Sequence, residues 1–293
     1  MAGDTITRPD GLVERDRVAE RAMIGSPVPR REDNRLLRGR AAYLDDIDLP
    51  GCYEAAFVRS PHGAAEITSI DTSAAAELPG VVGVWTGDDL GDTNKGIPPK
   101  VTHPDLRDVA RLPLPPKSVH FVGEPVAVVV AVSRYVAEDA VALVDVEYDV
   151  RAAVSSPAAA LAPGAPLVHA GSEDNIAVHV VQTAGDPEGA LLSAPHRLKE
   201  TFTVIRGGGH SMETRAIAAR HDTATGQLVV WDTTQSPHYI RNMLAYLFDV
   251  PEDDIGLSHH QTSAAGSGPR PSSTAKRRSS HGWPGPSITP SNG

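Results

Sequence analysis

The spacing of apolar and polar residues divides the chain into strands, short helices and loops. In residues 51–60 (GCYEAAFVRS), Tyr53, Ala55 and Phe57 alternate with Glu54 and Arg59, which predicts a strand with one face inward. Residues 67–70 read as a second short strand. Thr72 or Ser73 can then cap a helical turn through Leu78, which Pro79-Gly80 stops. VVGVWTG (81–87) and GEPVAVVVAV (123–132) are apolar runs too short and too β-branched for buried helices, so both read as buried strands. The Pro-, Asp- and Lys-rich stretch 87–116 between them reads as a long surface loop. Val136, Ala140, Val141 and Val144 share a face at helical spacing over 134–144, and 144–148 returns as a strand. These elements predict a β-rich α+β unit over residues 35–154.

SSPAAALAPGAP (155–166) reads as a Pro/Ala linker and the domain boundary. Beyond it, 197–204 is strand-like, and 213–221 with 227–234 predicts a hairpin around the turn DTATG. Ser236 and Pro237 open a helix whose inward face carries Ile240, Leu244, Leu247 and Phe248, and Pro251 is expected to end it.

Composition refines this picture. The 293 residues are 40% hydrophobic and 22% charged, which excludes wholesale disorder, and aromatics at 4% leave Val, Ala and Leu to build the core. The single cysteine, Cys52, excludes an internal disulfide framework and a multi-cysteine metal site. No apolar run reaches the roughly 20 residues of a membrane span, and the polar start MAGDTITRPDGLVERD lacks a secretory signal, so a cytoplasmic location is expected. Net charge is -10, yet residues 256–293 hold four basic side chains and no acid, which leaves -14 on the remainder. So acidic a body argues against a nucleic-acid binder. The Ser/Pro/Gly-rich tail has no apolar period and reads as disordered, and residues 1–24 read as a loose leader.

Taken alone, the residues offer little chemistry. Ser211 in GGGHSMETR invites a nucleophile-elbow reading, but Glu213 stands where that motif needs glycine. Gly207, Gly208 and Gly209 could cradle an anion or simply form a turn. His259-His260 lie in the tail, where neighbouring side chains need not share a face for a metal. Cys52 reads as a small buried hydrophobe. Asp88-Asp89 and Asp253-Asp254 read as turn and cap carboxylates, and Arg277-Arg278 as a solvated charge run.

Longer stretches carry a resemblance. IGSPVPRREDNRLLRGRAAYLDDIDLPGCYEAAFVRSPHGAAEITSIDTSAAAELPGVVGVWTGDDL, then HFVGEPVAVVVA with AEDAVALVDVEYD, then GDPEGALLSAPHRLKETF, HSMETRAIAA and LVVWDTTQSPHYIRNMLAYLFDVPEDDI follow in order over residues 23–255. This series resembles the molybdopterin-binding large subunit of the xanthine dehydrogenase, aldehyde oxidase and aerobic carbon monoxide dehydrogenase family. The resemblance implies an α+β chain: an a/b hammerhead domain (25–154), the linker (155–166), the incomplete start of the first molybdopterin-binding domain (167–255) and a disordered tail (256–293). It implies molybdenum-cofactor hydroxylase chemistry on an aldehyde, a purine-like heterocycle or carbon monoxide, with oxygen taken from water. It also implies an FAD-binding medium subunit and an iron–sulfur small subunit as partners, in a dimer of heterotrimers when complete. Gln235 of the TTQ motif matches the residue whose amide approaches the metal's oxo ligand, a hydrogen bond that tunes the metal. Alternatively, Gln235 caps the strand–helix junction beside Ser236. Glu213 and Arg215 match a P-M-E-P-R-G segment in which this chain has Ser211, Thr214 and Ala216 in place of Pro, Pro and Gly.

At Gly256 the resemblance stops, where the family continues into D-V-G-G-G-F-G. With GC-rich codons, residues 261–268 read one base out of frame can encode those same seven residues, and the shifted text continues family-like through His281. A frameshift near codon 255 and an out-of-frame tail are therefore expected. A chain ending so would lack the glycine-rich loop and the family's C-terminal glutamate base, and would not be active by itself. The alternative is a non-enzymatic hammerhead module that binds partner subunits.

Overall fold

The computed structural model describes residues 24, 27, 33–40, 43–99, 103–107, 109–204, 213–258 and 276–280. The chain forms two units, Met1–Ala42 and Tyr43–Gly293. The first contributes a short helix α1 (Asp33–Leu36), closed where Arg40 N–H donates to Arg35 O and Gly39 takes φ 66°. The leader lies outside the described residues apart from Ile24.

Among the described residues of the second unit, ten strands form two sheets. β1 (Cys52–Arg59), β3 (Val81–Thr86) and β5 (Pro125–Ala131) pair antiparallel, with β5 between the other two. β2 (Ala65–Asp71), β4 (Ser118–Val119) and β6 (Asp145–Val150) make the small sheet, with β2 in the middle. The apolar runs explain this order: β5 is apolar on both faces and takes the position covered on both. Between the sheets lie Val58, Ala65, Val119, Val126 and Ala127, with Ile67, Ile70 and Val146 against them. On the large sheet, Val84 and Val129 pack against Ala75 of α2 (Ser73–Ala76) and Ala140 of α3 (Arg134–Val141). Each fully buried Val contributes roughly 1.5–3 kcal/mol of apolar burial.

Local chemistry fixes the ends. Ser133 Oγ accepts the Val136 N–H at the start of α3, at 3.3 Å. α3 stops at Val141, three residues before the apolar period does, because the chain turns there into β6. Asp71 Oδ1 accepts both the Ser73 hydroxyl and the Ser73 N–H, and these bonds hold its carboxyl below the usual range. The loop 87–116 is pinned by Asn94, whose amide donates to Gly87 O (3.0 Å) and Leu114 O (2.7 Å) and accepts the Leu114 N–H (3.2 Å). A Cβ at Gly87 would come within 2.3 Å of Leu114 O, so this crossing requires glycine.

Past β6 the chain folds back on this unit. The expected linker holds a helical turn α4 (Pro157–Ala160), capped by Ser156 Oγ. Asn175 accepts the Val168 N–H and donates to Ala160 O and Pro166 O. Arg107 meets Asp174 in a two-pronged ion pair (2.5 and 3.3 Å), and its own N–H donates to Ala177 O. From residue 178 to residue 204 the chain carries one helix, α5 (Pro187–Ser193), and no strand. The strand expected over 197–204 does not form: that stretch is exposed, and among the described residues no strand lies beside it to share its backbone hydrogen bonds.

β7 (Ala216–His221) and β8 (Leu228–Asp232) form the expected hairpin, with Gly226 at φ 73° in its turn. α6 (Pro237–Phe248) follows and ends on Asp249 in the left-handed conformation (φ 55°), before Pro251 is reached. β9 (Ile255–Ser258) runs parallel to β8. Of the tail expected to be disordered, residues 256–258 and 276–280 are described. β10 (Lys276–Ser280) lies between β1, antiparallel, and β7, parallel. Backbone pairing from two neighbours needs no apolar period in the inserted strand. The large sheet thus runs β3-β5-β1-β10-β7-β8-β9.

Candidate functional site

The hairpin and α6 together present the turn that carries Gln235. Thr233 closes the open end of the hairpin: its Oγ1 accepts the Ala216 N–H at 3.1 Å and donates to Ala216 O at 3.3 Å. Thr234 Oγ1 then accepts the Ser236 N–H at 3.1 Å, which turns the chain into α6. Gln235 sits between these two threonine-held residues and is exposed. One step back, Asp232 ends β8 in a partly buried position, and burial pushes its carboxyl up to about 6 against an opposing hydrogen bond from the Thr233 backbone.

Long-range contacts hold this corner in place. Glu213 is buried, and its Oε1 accepts the Leu44 N–H at 3.1 Å, across 169 residues of sequence. Leu44 and Leu49 pack with Ala216 and Ala218 of β7, beside Cys52 and Trp231. The Arg220 guanidinium lies 5.7 Å over the Trp231 ring. α6 is tied to the loop before β4: Lys95 Nζ donates to Tyr246 O, Tyr246 Oη to Gly96 O and Tyr239 Oη to Pro98 O.

The other sequence candidates do not converge here. Cys52 is half-buried, and its thiol donates to Tyr53 O at 3.4 Å. Asp89 accepts the Thr86 N–H and hydroxyl, a turn role, and Asp253 lies in a helical turn whose backbone takes the Gln227 amide. Ser211, the three glycines and His259-His260 lie outside the described residues. Among the described residues, no group of three His, Cys, Asp or Glu side chains could hold a metal, and no helix is long and apolar enough to cross a membrane. The Glu213–Leu44 tie escaped the sequence reading because nothing local links residues so distant.

Comparison with known proteins gives this corner its context. Residues 38–152 match the aldehyde oxidase and xanthine dehydrogenase a/b hammerhead domain, and residues 168–265 match the molybdopterin cofactor-binding domain. The nicotine 6-hydroxylase large subunit of Paenarthrobacter nicotinovorans is 38% identical over 232 residues, which are 79% of this chain and 28% of that protein. The chain belongs to the large-subunit family of the molybdenum hydroxylases. The carbon monoxide dehydrogenase large chain of Afipia carboxidovorans is 36% identical over 79% of this chain and 30% of its own length. The crystal structure of quinoline 2-oxidoreductase from Pseudomonas putida 86 superposes with a TM-score of 0.74 at 35% identity, over 80% of this chain and 30% of that one. The chain therefore spans under a third of the length of these relatives, two of which are named as a large subunit and a large chain. The family binds molybdopterin.

The residues around Gln235 can be tested against that group. A bound pterin needs to be enclosed, and Gln235 stands exposed at the end of its turn. Glu213 is already committed to Leu44. By themselves these residues do not make a cofactor site.

Proposed function

We propose that this chain supplies the hammerhead domain (25–154) and the first part of the cofactor domain (167–255) of a molybdenum hydroxylase large subunit, and that it does not hydroxylate alone. When bound, the molybdenum group of this family supplies oxygen transfer from water to an aldehyde, a nitrogen heterocycle or carbon monoxide. Gln235 is the residue here that would donate a hydrogen bond toward it, held at its turn by Thr233 and Thr234.

The observation that carries this reading is the state of residues 176–204. Ile176, Val178, Val180, Val181, Leu191, Leu192, Leu198, Phe202 and Val204 are all exposed, Phe202 and Val204 by 86% and 89%. So many exposed apolar side chains in one stretch call for a cover. The cover we assign is the downstream polypeptide of the same subunit, which would also enclose Gln235. An FAD-binding medium subunit and an iron–sulfur small subunit in the cytoplasm complete the proposed assembly, as a dimer of heterotrimers. A free-standing hammerhead module would leave this apolar stretch without a role.

The test is to purify the chain, measure bound molybdenum by mass spectrometry and follow dye reduction with nicotine, quinoline, an aldehyde and carbon monoxide. No stoichiometric metal and no dye reduction are expected, and stoichiometric molybdenum overturns the reading. Resequencing the gene across codons 250–260 and beyond tests the frameshift: a continuous shifted frame supports it, and a stop after codon 293 with no family-like frame beyond removes it.

A further inference from the structure

A cavity of about 190 Å³ lies where the chain folds back after β6. Its polar lining is Arg111, Lys117, Ser118, His120, Glu124 and His169, and Leu112 and Pro116 lie among its apolar walls. The groups are held by backbone. Lys117 O accepts the Ile67 N–H, and the Glu124 N–H and carbonyl are bonded to Phe121 O and Ser60 N. Glu124 is 4% exposed, and its carboxylate is committed: Oε2 accepts the His120 N–H at 2.6 Å and lies 3.6 Å from His120 Nδ1. Ser118 Oγ faces the other ring nitrogen of His120 at 3.5 Å. His169, carried in by the returning chain, stacks on His120 with ring centroids 5.0 Å apart.

The charge balance is lopsided. Among the described residues, the Arg111 guanidinium contacts only the Phe121 ring, at 6.0 Å, and neither Arg111 nor Lys117 has a carboxylate partner. The His169 ring has its stack on His120 and no hydrogen bond among those residues. Two cations without carboxylate partners and an imidazole without a hydrogen bond thus line one cavity, beside the Glu124 carboxylate that His120 already engages. A metal does not fit, since no three ligand side chains converge among the described residues.

We propose that this cavity binds a small molecule with an oxyanion head, a carboxylate or a phosphate, and a compact apolar body. The head meets Arg111, Lys117 and His169, and the body lies against Leu112 and Pro116. Such a ligand would bridge the hammerhead loop and the returning chain. Burial and the neighbouring His120 hold the His169 imidazole below its usual value, with Glu124 acting the other way. An anion at this position favours the charged ring, so binding and His169 protonation reinforce each other and affinity rises as pH falls. The groups that face His169 in this balance are His120, Glu124, Arg111 and Lys117.

Proton NMR of the histidine ring resonances in the full chain tests this, with benzoate and inorganic phosphate as separate probes. The expected result is a saturable shift of the His169 signal, a raised His169 titration midpoint in the presence of ligand, and tighter binding of benzoate than of phosphate. Lys117→Ala and Arg111→Ala change exposed side chains and should each weaken binding by about tenfold. Lys199→Ala, an exposed lysine elsewhere, should leave it unchanged. The absence of saturation into the tens of millimolar, or equal loss in the Lys199 variant, overturns the proposal. Phosphate binding as tightly as benzoate removes the apolar body from it.

Discussion

Residues 157–177 and residues 178–204 are neighbouring stretches with few regular elements and scattered apolar side chains, the first richer in alanine, yet the fold treats them differently. The first stretch is fastened to the hammerhead by the Arg107–Asp174 pair, the Arg107 N–H to Ala177 and the His120–His169 stack, and Asn175 bonds it to itself three times. The second has only local hydrogen bonds, such as Arg197 to Leu192 O, and exposes Leu198, Phe202 and Val204. Both stretches carry apolar side chains that need covering. What separates them is whether a partner surface exists within the chain, and for 178–204 none does among the described residues.

The sharpest break of this comparison comes from matched truncations. Leu44→Ala removes a side chain that is 2% exposed and should cost about 2–5 kcal/mol in urea unfolding, whereas Phe202→Ala should change it by under about 0.5 kcal/mol. Similar losses for both would mean that Phe202 is covered in solution. Asn94→Ala, which strips three hydrogen bonds from the pinned loop, should cost about 1–3 kcal/mol by the same assay.

A third measurement concerns the hairpin, where burial opposes the charge of Asp232. Its folded value, about 6, exceeds the unfolded one of about 4. The unfolded chain therefore ionises first, and stability falls as pH rises from about 4 to about 6, then levels off. Asp232→Asn should flatten that slope, and an unchanged slope would place the responsible group elsewhere. The smallest effect belongs to Arg107→Ala. Arg107 and Asp174 are both over a third exposed, so the global cost should stay below about 1 kcal/mol. Hydrogen exchange in residues 167–177 should nevertheless speed up toward that of 178–204, and unchanged protection would mean that the His120–His169 stack suffices alone.

Much of the fold was legible wherever pattern and pairing agree. β1, β5 and the β7–β8 hairpin follow from alternation, apolar runs and a glycine turn, and all lie beside strands that complete them. The strand expected at 197–204 carried the same kind of signal but has no neighbour, and alternation alone cannot supply one. β10 shows the reverse: Lys-Arg-Arg-Ser-Ser has no apolar period, yet two flanking strands bond it. The α6 stop was placed one turn element late because a left-handed Asp249 is less conspicuous in sequence than Pro251. Of the candidate sites, the Gln235 turn was visible through its threonines and Pro237. The cavity was not, because His169 stands 49 positions from His120 and only the return of the chain brings them together.

The position of β10 has a consequence in time. Cys52 pairs with Ser280, and Ala216 with Lys276, so the middle of the large sheet awaits a segment made long after β1. At roughly 5–20 residues per second, β1 is synthesised on the order of 10–40 s before β10. Throughout that interval the free edge of β1, joined late in it by that of β7, stays open to any strand that reaches it first, which makes this sheet a competition settled by order of arrival.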